Sequence, residues 1–237
     1  MQVQYIGHSG FAVEMEERVL LFDYYQGQLP RWPEDKPVYV FVSHAHHDHF
    51  TFQLFEKLKG RRQVEYIFSS DVRRHFGPAF TQRQGVSPEV WSKVRFVAPH
   101  TRLKLPGLEL QTLESTDEGV AFVVECEGKR LYHAGDLHLW TWRGEPDEDN
   151  RRMRERYLSE MERLRDVRLD VAFAVLDPRQ EEDFWQGLDV LMRTAQVEKV
   201  WPMHFWGETS VIDRLLALPC SEPYRERVAR PEEYDKS

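Results

Sequence analysis

Residues 43–49 read Ser-His-Ala-His-His-Asp-His and follow directly on the apolar run Val38-Tyr39-Val40-Phe41-Val42. No other feature constrains the chain as strongly. A β-branched and aromatic run of that length predicts a buried strand. The histidines then sit on the turn at its C-terminal end, where open α/β sheets place their ligand sites. Four of the ten histidines fall in this heptapeptide, interleaved with a carboxylate. Imidazole combined with carboxylate suits Zn²⁺, Mn²⁺ or Fe²⁺ better than Ca²⁺ or Mg²⁺. An affinity tag is terminal and lacks the internal aspartate. The segment therefore predicts a site for one or two divalent transition metals, with zinc favoured and manganese or iron as alternatives.

The pattern His44-x-His46-x-Asp48-His49 resembles the signature of the metallo-β-lactamase superfamily. The resemblance implies that His44 and His46 ligate one metal, and Asp48 and His49 a second. It continues in order along the chain. Asp23, after Val19-Leu20-Leu21-Phe22, matches an aspartate that backs the ligands. Leu131-Tyr132-His133-Ala134-Gly135-Asp136 looks like the strand-Gly-Asp element whose aspartate bridges the two metals. Val200-Trp201-Pro202-Met203-His204 looks like the last element, whose histidine completes the second site. Ile6-Gly7-His8-Ser9-Gly10-Phe11 at the start, with Pro202-Met203-His204 near the end, is similar to the branch containing ascorbate-6-phosphate lactonase. The implied fold is an αββα four-layer sandwich, a single domain over residues 1–237. The implied chemistry is hydrolysis by metal-bound hydroxide, since a metal lowers the pKa of its water to about 7.

One element departs from the pattern. The family has a further histidine ahead of the Gly-Asp element, as third ligand of the first metal. Here that region reads Leu113-Glu114-Ser115-Thr116-Asp117-Glu118-Gly119, without a histidine. Asp117 or Glu118 supplies an oxygen, making the first site harder and better suited to Mn²⁺ or Fe²⁺. Alternatively Ser115 occupies the histidine's place, and a mononuclear centre remains at Asp48, His49, Asp136 and His204. The segment also reads as an ordinary polar turn. The balance leans to the carboxylate, and the alternatives stay open at this level.

Four further residues are candidates for catalysis or binding. Asp48 combines metal ligation with orientation of the nucleophile. His8, in a Gly-His-Ser-Gly turn, either contacts substrate or is bonded within its own turn. His138, just after Gly135-Asp136-Leu137, is a candidate proton donor lining the cleft. Arg179, after the buried run Val171 to Leu176, either clamps a carboxylate or phosphate or pairs with Glu181 or Glu182. His47 fills the variable position of the motif, and His133 reads as core. Trp140, Trp142, Trp185 and Trp206 flank the motif loops and suggest an aromatic mouth.

Composition sets the class. A chain of 237 residues with 41% hydrophobic and 30% charged residues fits one globular α/β domain. The net charge of −8 argues against nucleic acid, and nucleases of the resembled family carry an inserted domain that this chain has no room for. No apolar run approaches the roughly 20 residues that cross a bilayer. No signal peptide is visible at the start, and two cysteines form no disulfide framework, so the expected compartment is the cytoplasm. The expected partner is a small anionic substrate, a lactone, ester or phosphodiester; the oligomeric state is open, a homo-oligomer included. Other classes compatible with the pattern are a non-hydrolytic metal-binding protein with a degenerate first site, and a di-iron redox variant.

Periodicity fills in the frame. Helices are expected over about 50–59, from Ser87-Pro88-Glu89, over 149–165 and over about 181–194. The stretch 103–132 reads as three strands separated by Gly-containing turns. Residues 221–237, rich in Glu, Arg and Pro, read as a loosely packed tail.

Overall fold

The computed structural model describes residues 1–234. Two six-stranded sheets form its centre. The first runs, in spatial order, β1 (Gln2–Gly7), β2 (Gly10–Glu14), β3 (Val19–Phe22), β4 (Val38–Val42), β5 (Val64–Ser69) and β6 (Arg95–Val97). The second comprises β7 (Arg102–Leu105), β8 (Leu108–Glu114), β9 (Val120–Cys126), β10 (Lys129–His133), β11 (Arg168–Val175) and β12 (Gln196–Met203), also in sequence order across the sheet. The stretch 103–132 thus holds parts of four strands rather than three, because each of its three turns reverses the chain. In the first sheet β3 to β6 are parallel; in the second, β10 to β12 are.

The period-2 alternation of strand side chains explains the layering. In β3, Leu20 and Phe22 enter one core while Val19 and Leu21 enter another. In β4, Tyr39 and Phe41 join the first core, and Val38, Val40 and Val42 the second. The first core lies between the sheets, where Phe11, Phe22 and Phe41 meet Phe122, His133 and Phe173. The second is capped by helices α1 (Gln53–Lys57), α2 (Ser70–His75), α3 (Pro78–Arg83) and α4 (Pro88–Trp91), through Leu54, Val72 and Trp91. The far side of the second sheet is covered by α5 (Asp147–Glu162), α6 (Gln186–Thr194) and α7 (Ser210–Ala217), with Tyr157, Leu188 and Ile212 buried. This is the expected four-layer sandwich.

Several boundaries move for local reasons. The helix expected from about residue 50 begins only at Gln53, because Phe50 N–H bonds back to His46 in the motif turn. The helix expected from 181 begins at Gln186, since Pro178–Gln180 forms a 3₁₀ turn and Glu181 has φ +53°. The region beyond 221 is not a loose tail. Tyr224, Val228, Ala229 and Tyr234 are buried, Ala229 N–H donates to Val200 O at 2.8 Å, and Tyr234 OH donates to Pro202 O at 2.6 Å. The final helix α8 (Pro231–Tyr234) and the segment before it cover β12, which would otherwise be an open sheet edge. Residues 235–237 of that expected tail lie outside the described residues. Among the described residues, no helix is long and apolar enough to cross a membrane.

Candidate metal centre

Parallel strands bring their C-terminal ends to one rim, and the chemistry-bearing residues gather there. Asp23 follows β3, the His-rich turn follows β4, Asp136 follows β10, Asp177 follows β11 and His204 follows β12. His8, Asp23, His204 and Trp206 all have positive φ, between +40° and +67°. Such strain is uncommon for non-glycine residues and concentrates at functional sites.

Three imidazoles are oriented by partners on their outer nitrogens. Buried Asp23 accepts from Ser43 N–H at 2.7 Å and Ser43 Oγ–H at 2.6 Å. Its Oδ2 lies 2.8 Å from His49 Nδ1, which therefore donates. Ser43 Oγ, having given its proton to Asp23, accepts from His44 Nδ1 at 2.9 Å. Asp177 Oδ2 lies 2.9 Å from His204 Nδ1. Each ring thus turns Nε2 inward, and all three reach Asp136: His49 at 3.2 Å and His204 at 3.4 Å from Oδ1, His44 at 3.4 Å from Oδ2.

This arrangement fits a metal. His8 Nε2, His44 Nε2, His49 Nε2 and Asp136 Oδ1 are buried without a hydrogen-bond partner. Lone pairs and a carboxylate facing one another in a buried space need a cation between them. The donor set, imidazole nitrogen plus carboxylate oxygen with outer-nitrogen partners, is that of transition-metal proteins. The electrostatics mark the space as one that attracts positive charge. Burial opposes charge on Asp136, but His49, His204 and His44 hold it well below the usual carboxylate range. Burial likewise opposes charge on His49, yet Asp136 and Asp23 raise it well above its ordinary value. His44 is pushed down to about 3 by burial and the neighbouring His49.

The ligating atoms sort into two groups, each mutually within 4.8 Å: His44, His46, Asp117 and Asp136; and His8, Asp48, His49 and His204. Asp136 presents one oxygen to each side. Asp117 therefore stands with His44 and His46, its Oδ2 3.8 Å from His46 Nδ1, in the region where the histidine is missing. Burial and Asp136 raise its carboxyl above the ordinary value. Gly119 makes this placement possible. It has φ +74°, and a Cβ there would lie 2.0 Å from Ser43 O, so only glycine lets the loop dock on the His-rich turn. Val120 N–H then donates to Ser43 O at 3.0 Å. Ser115 is turned into its own loop, accepting from Asp117 N–H at 3.1 Å. Glu118 faces away, toward Asp71 and His75.

The remaining candidates divide. His8 belongs to the second group, with Nε2 3.3 Å from Asp48 Oδ2. Burial pushes His8 below its ordinary pKa. Burial works to raise Asp48, but the neighbouring His8 and His49 imidazoles hold it low. A cleft of about 510 Å³ opens over both groups, lined by His47, Trp140, Trp142, Arg179 and Trp206 among others. Trp185 is packed against the core instead. His138 does not line the cleft. It is buried, its Nε2 donates to Gln180 Oε1 at 2.7 Å, and burial pushes its pKa down to about 4. Arg179 does not pair with Glu181 or Glu182, which meet Arg143. Its Nε lies 2.9 Å from both Asp177 oxygens and its guanidinium 4.7 Å over the Trp206 ring. His133 is core, as expected, donating to Ser9 O at 2.8 Å.

Sequence reasoning missed Asp177, although it ends a buried strand as Asp23 does, and that shared position was a usable signal. It also missed Asp71, whose Oδ2 accepts from Ala45 N–H at 2.8 Å inside the motif turn. Nothing local marked that residue.

The family model described as "Beta-lactamase superfamily domain" matches residues 2–142, which carry every motif up to Asp136. The chain belongs to this superfamily. Relatives named metal-dependent hydrolases include those of Alkaliphilus metalliredigens, 29% identical over 154 residues, Paracoccus denitrificans, 34% over 159, and Desulforamulus reducens, 40% over 156. The matches take in 59%, 61% and 59% of this chain, and 64%, 68% and 64% of those relatives. Among solved structures, a metallo hydrolase of Ignicoccus hospitalis superposes with a TM-score of 0.62 at 17% identity, over 96% of this chain and 93% of that one. The diiron β-hydroxylase CmlA of Streptomyces venezuelae gives 0.64 at 11%, over 96% and 52%. At these identities the superpositions establish the shared fold.

Proposed function

We propose that this superfamily member is a metal-dependent hydrolase of a small anionic molecule, a lactone, ester or phosphodiester. The observation that carries the reading is Asp136, whose two oxygens face separate histidine sets. His44, His46 and Asp117 would hold one metal and Asp48, His49 and His204, with His8 beside them, the other; Asp136 would be shared. The nitrogen-rich second set suits zinc, and the first, with two carboxylates, also suits manganese or iron. Metals held there would supply a water of lowered pKa and polarise the oxygen of the scissile group.

The chain's own residues supply the rest. Asp48, held anionic and partly open to the cleft, is placed to orient the attacking water. Arg179, half-exposed at the rim, offers its guanidinium to an anionic group on the substrate. Trp140 and Trp142, stacked with centroids 5.9 Å apart, give the cleft an apolar wall. Two free cysteines suit a reducing compartment such as the cytoplasm.

The test is elemental analysis together with a lactone, ester and phosphodiester panel. Activity is expected to vanish with chelator, return with metal, and fall severely in Asp48→Asn at saturating metal. Full activity in chelated protein would sink the proposal. A second reading, a di-iron redox centre, draws on the oxygen-rich first set that Asp117 creates. Iron content with oxygen uptake, and no turnover on the hydrolase panel, would favour it. Retained metal with neither activity would favour a binding protein.

A further inference from the structure

Glu118 stands next to Asp117 in sequence but takes part in a different cluster. The ligating atoms of Asp71, His75 and Glu118 lie within 4.8 Å of one another. Asp71 and His75 are four residues apart on α2 and share one helix face. Glu118 reaches them from the loop between β8 and β9.

Two carboxylate oxygens in this cluster lack partners. Asp71 is fully buried; its Oδ2 accepts from Ala45 N–H, while its Oδ1 has no hydrogen bond. Glu118 Oε2 is also buried and unbonded. His75 Nδ1 lies 3.2 Å from the Asp71 carbonyl oxygen and so donates to it. In the neutral ring that leaves the Nε2 lone pair facing Glu118 Oε2 at 3.9 Å. No lysine or arginine among the described residues pairs with Asp71 or Glu118. A lone pair and two carboxylates thus converge with no cation to meet them, although buried carboxylates require one.

We propose that Asp71, His75 and Glu118 form a third site for a divalent transition metal, separate from the two groups around Asp136. One imidazole and two carboxylates suit Zn²⁺ or Mn²⁺. The features a genuine site needs are present: a fixed tautomer on His75, a carboxylate oriented by backbone, and an entry path past the half-exposed His75 and Glu118. Solvent completes the coordination. The site does not rest on the hydrolase reading.

The test titrates chelator-stripped full-length protein with Zn²⁺ alone and counts bound equivalents by elemental analysis after dialysis. His75→Ala and Glu118→Gln are each expected to bind one equivalent fewer than wild type. Both positions are half-exposed, and unchanged circular dichroism would show that the fold is kept. A His49→Ala, Asp136→Ala variant is expected to keep the His75-dependent equivalent, and that result supports this site even if the hydrolase reading fails. Anomalous scattering from Zn²⁺-soaked crystals should place a peak between the three side chains. Equal metal content in wild type and both single variants would overturn the proposal, as would a protonated His75 bridging the carboxylates with no anomalous peak.

Discussion

Asp177 Oδ2 lies 2.9 Å from His204 Nδ1 and turns the opposite ring nitrogen toward Asp136. Asp23 does the same for His49 from the other sheet, at 2.8 Å. The two aspartates follow β3 and β11, one strand in each sheet, so each sheet carries one carboxylate that aims one histidine. Removing such a partner characteristically costs 10–100-fold in metal affinity. Asp177→Asn is therefore expected to weaken the tighter Zn²⁺-binding step about 10–100-fold, measured by competition with a chromophoric chelator. Unchanged affinity would show that backbone alone holds His204.

The two sites that share Asp136 are expected to differ in affinity. The side chains of His46 and Asp117 are 45% and 47% exposed, whereas His8 and His204 are 2% and 3% exposed. Ordering exposed ligands costs side-chain entropy that buried ones have already lost. Asp117→Asn should weaken the looser step about tenfold or more and leave the tighter one in place. Two steps of equal affinity, both insensitive to Asp117→Asn, would remove Asp117 from the centre.

Gly119→Ala is expected to destabilise the fold by on the order of 3 kcal/mol. Its φ of +74° disfavours alanine, and the new Cβ would collide with the Ser43 carbonyl. Urea unfolding of metal-free protein measures this. A loss below about 1 kcal/mol would mean that the loop moves aside cheaply, and that Asp117 is less firmly placed than the docking implies.

His138 makes stability depend on pH. Its folded pKa is pushed from 6.5 down to about 4 by burial, so the unfolded chain takes up this proton first. The contribution is complete above pH 6.5, falls as pH drops through the interval to 4, and amounts to roughly 3 kcal/mol. In chelator, His138→Gln should flatten the wild-type slope between those values, although its stability at pH 7 is lower. Parallel slopes would show that the ring is protonated in the folded state.

Much of this molecule was legible in one dimension because its determinants are local. Val38 to Val42 must be a strand, and the heptapeptide after it must sit at that strand's end, whatever the rest of the chain does. The same holds for the Gly135-Asp136 turn and for the alternation in β3 that assigns Leu20 and Leu21 to different cores. The ligand candidates Asp48, His49, Asp136 and His204 came from the family resemblance, whose motifs recur in order along the chain.

Tertiary structure decided what depends on how distant loops dock. Asp117 and Glu118 are adjacent carboxylates with equal chemistry, and their directions differ because Gly119 seats the loop against Ser43. His138 and Arg179 looked like cleft residues by position; Arg179 is one, held at the rim by Asp177, whereas Gln180 keeps His138 inside the core. The segment after 221 looked loose because its charges dominate its composition, yet Tyr224, Val228 and Tyr234 had an uncovered strand edge to close. Sequence determines which groups can bind or react and which elements carry them. Only packing determines which way a loop side chain faces, because its backbone angles are set by contacts with residues far along the chain.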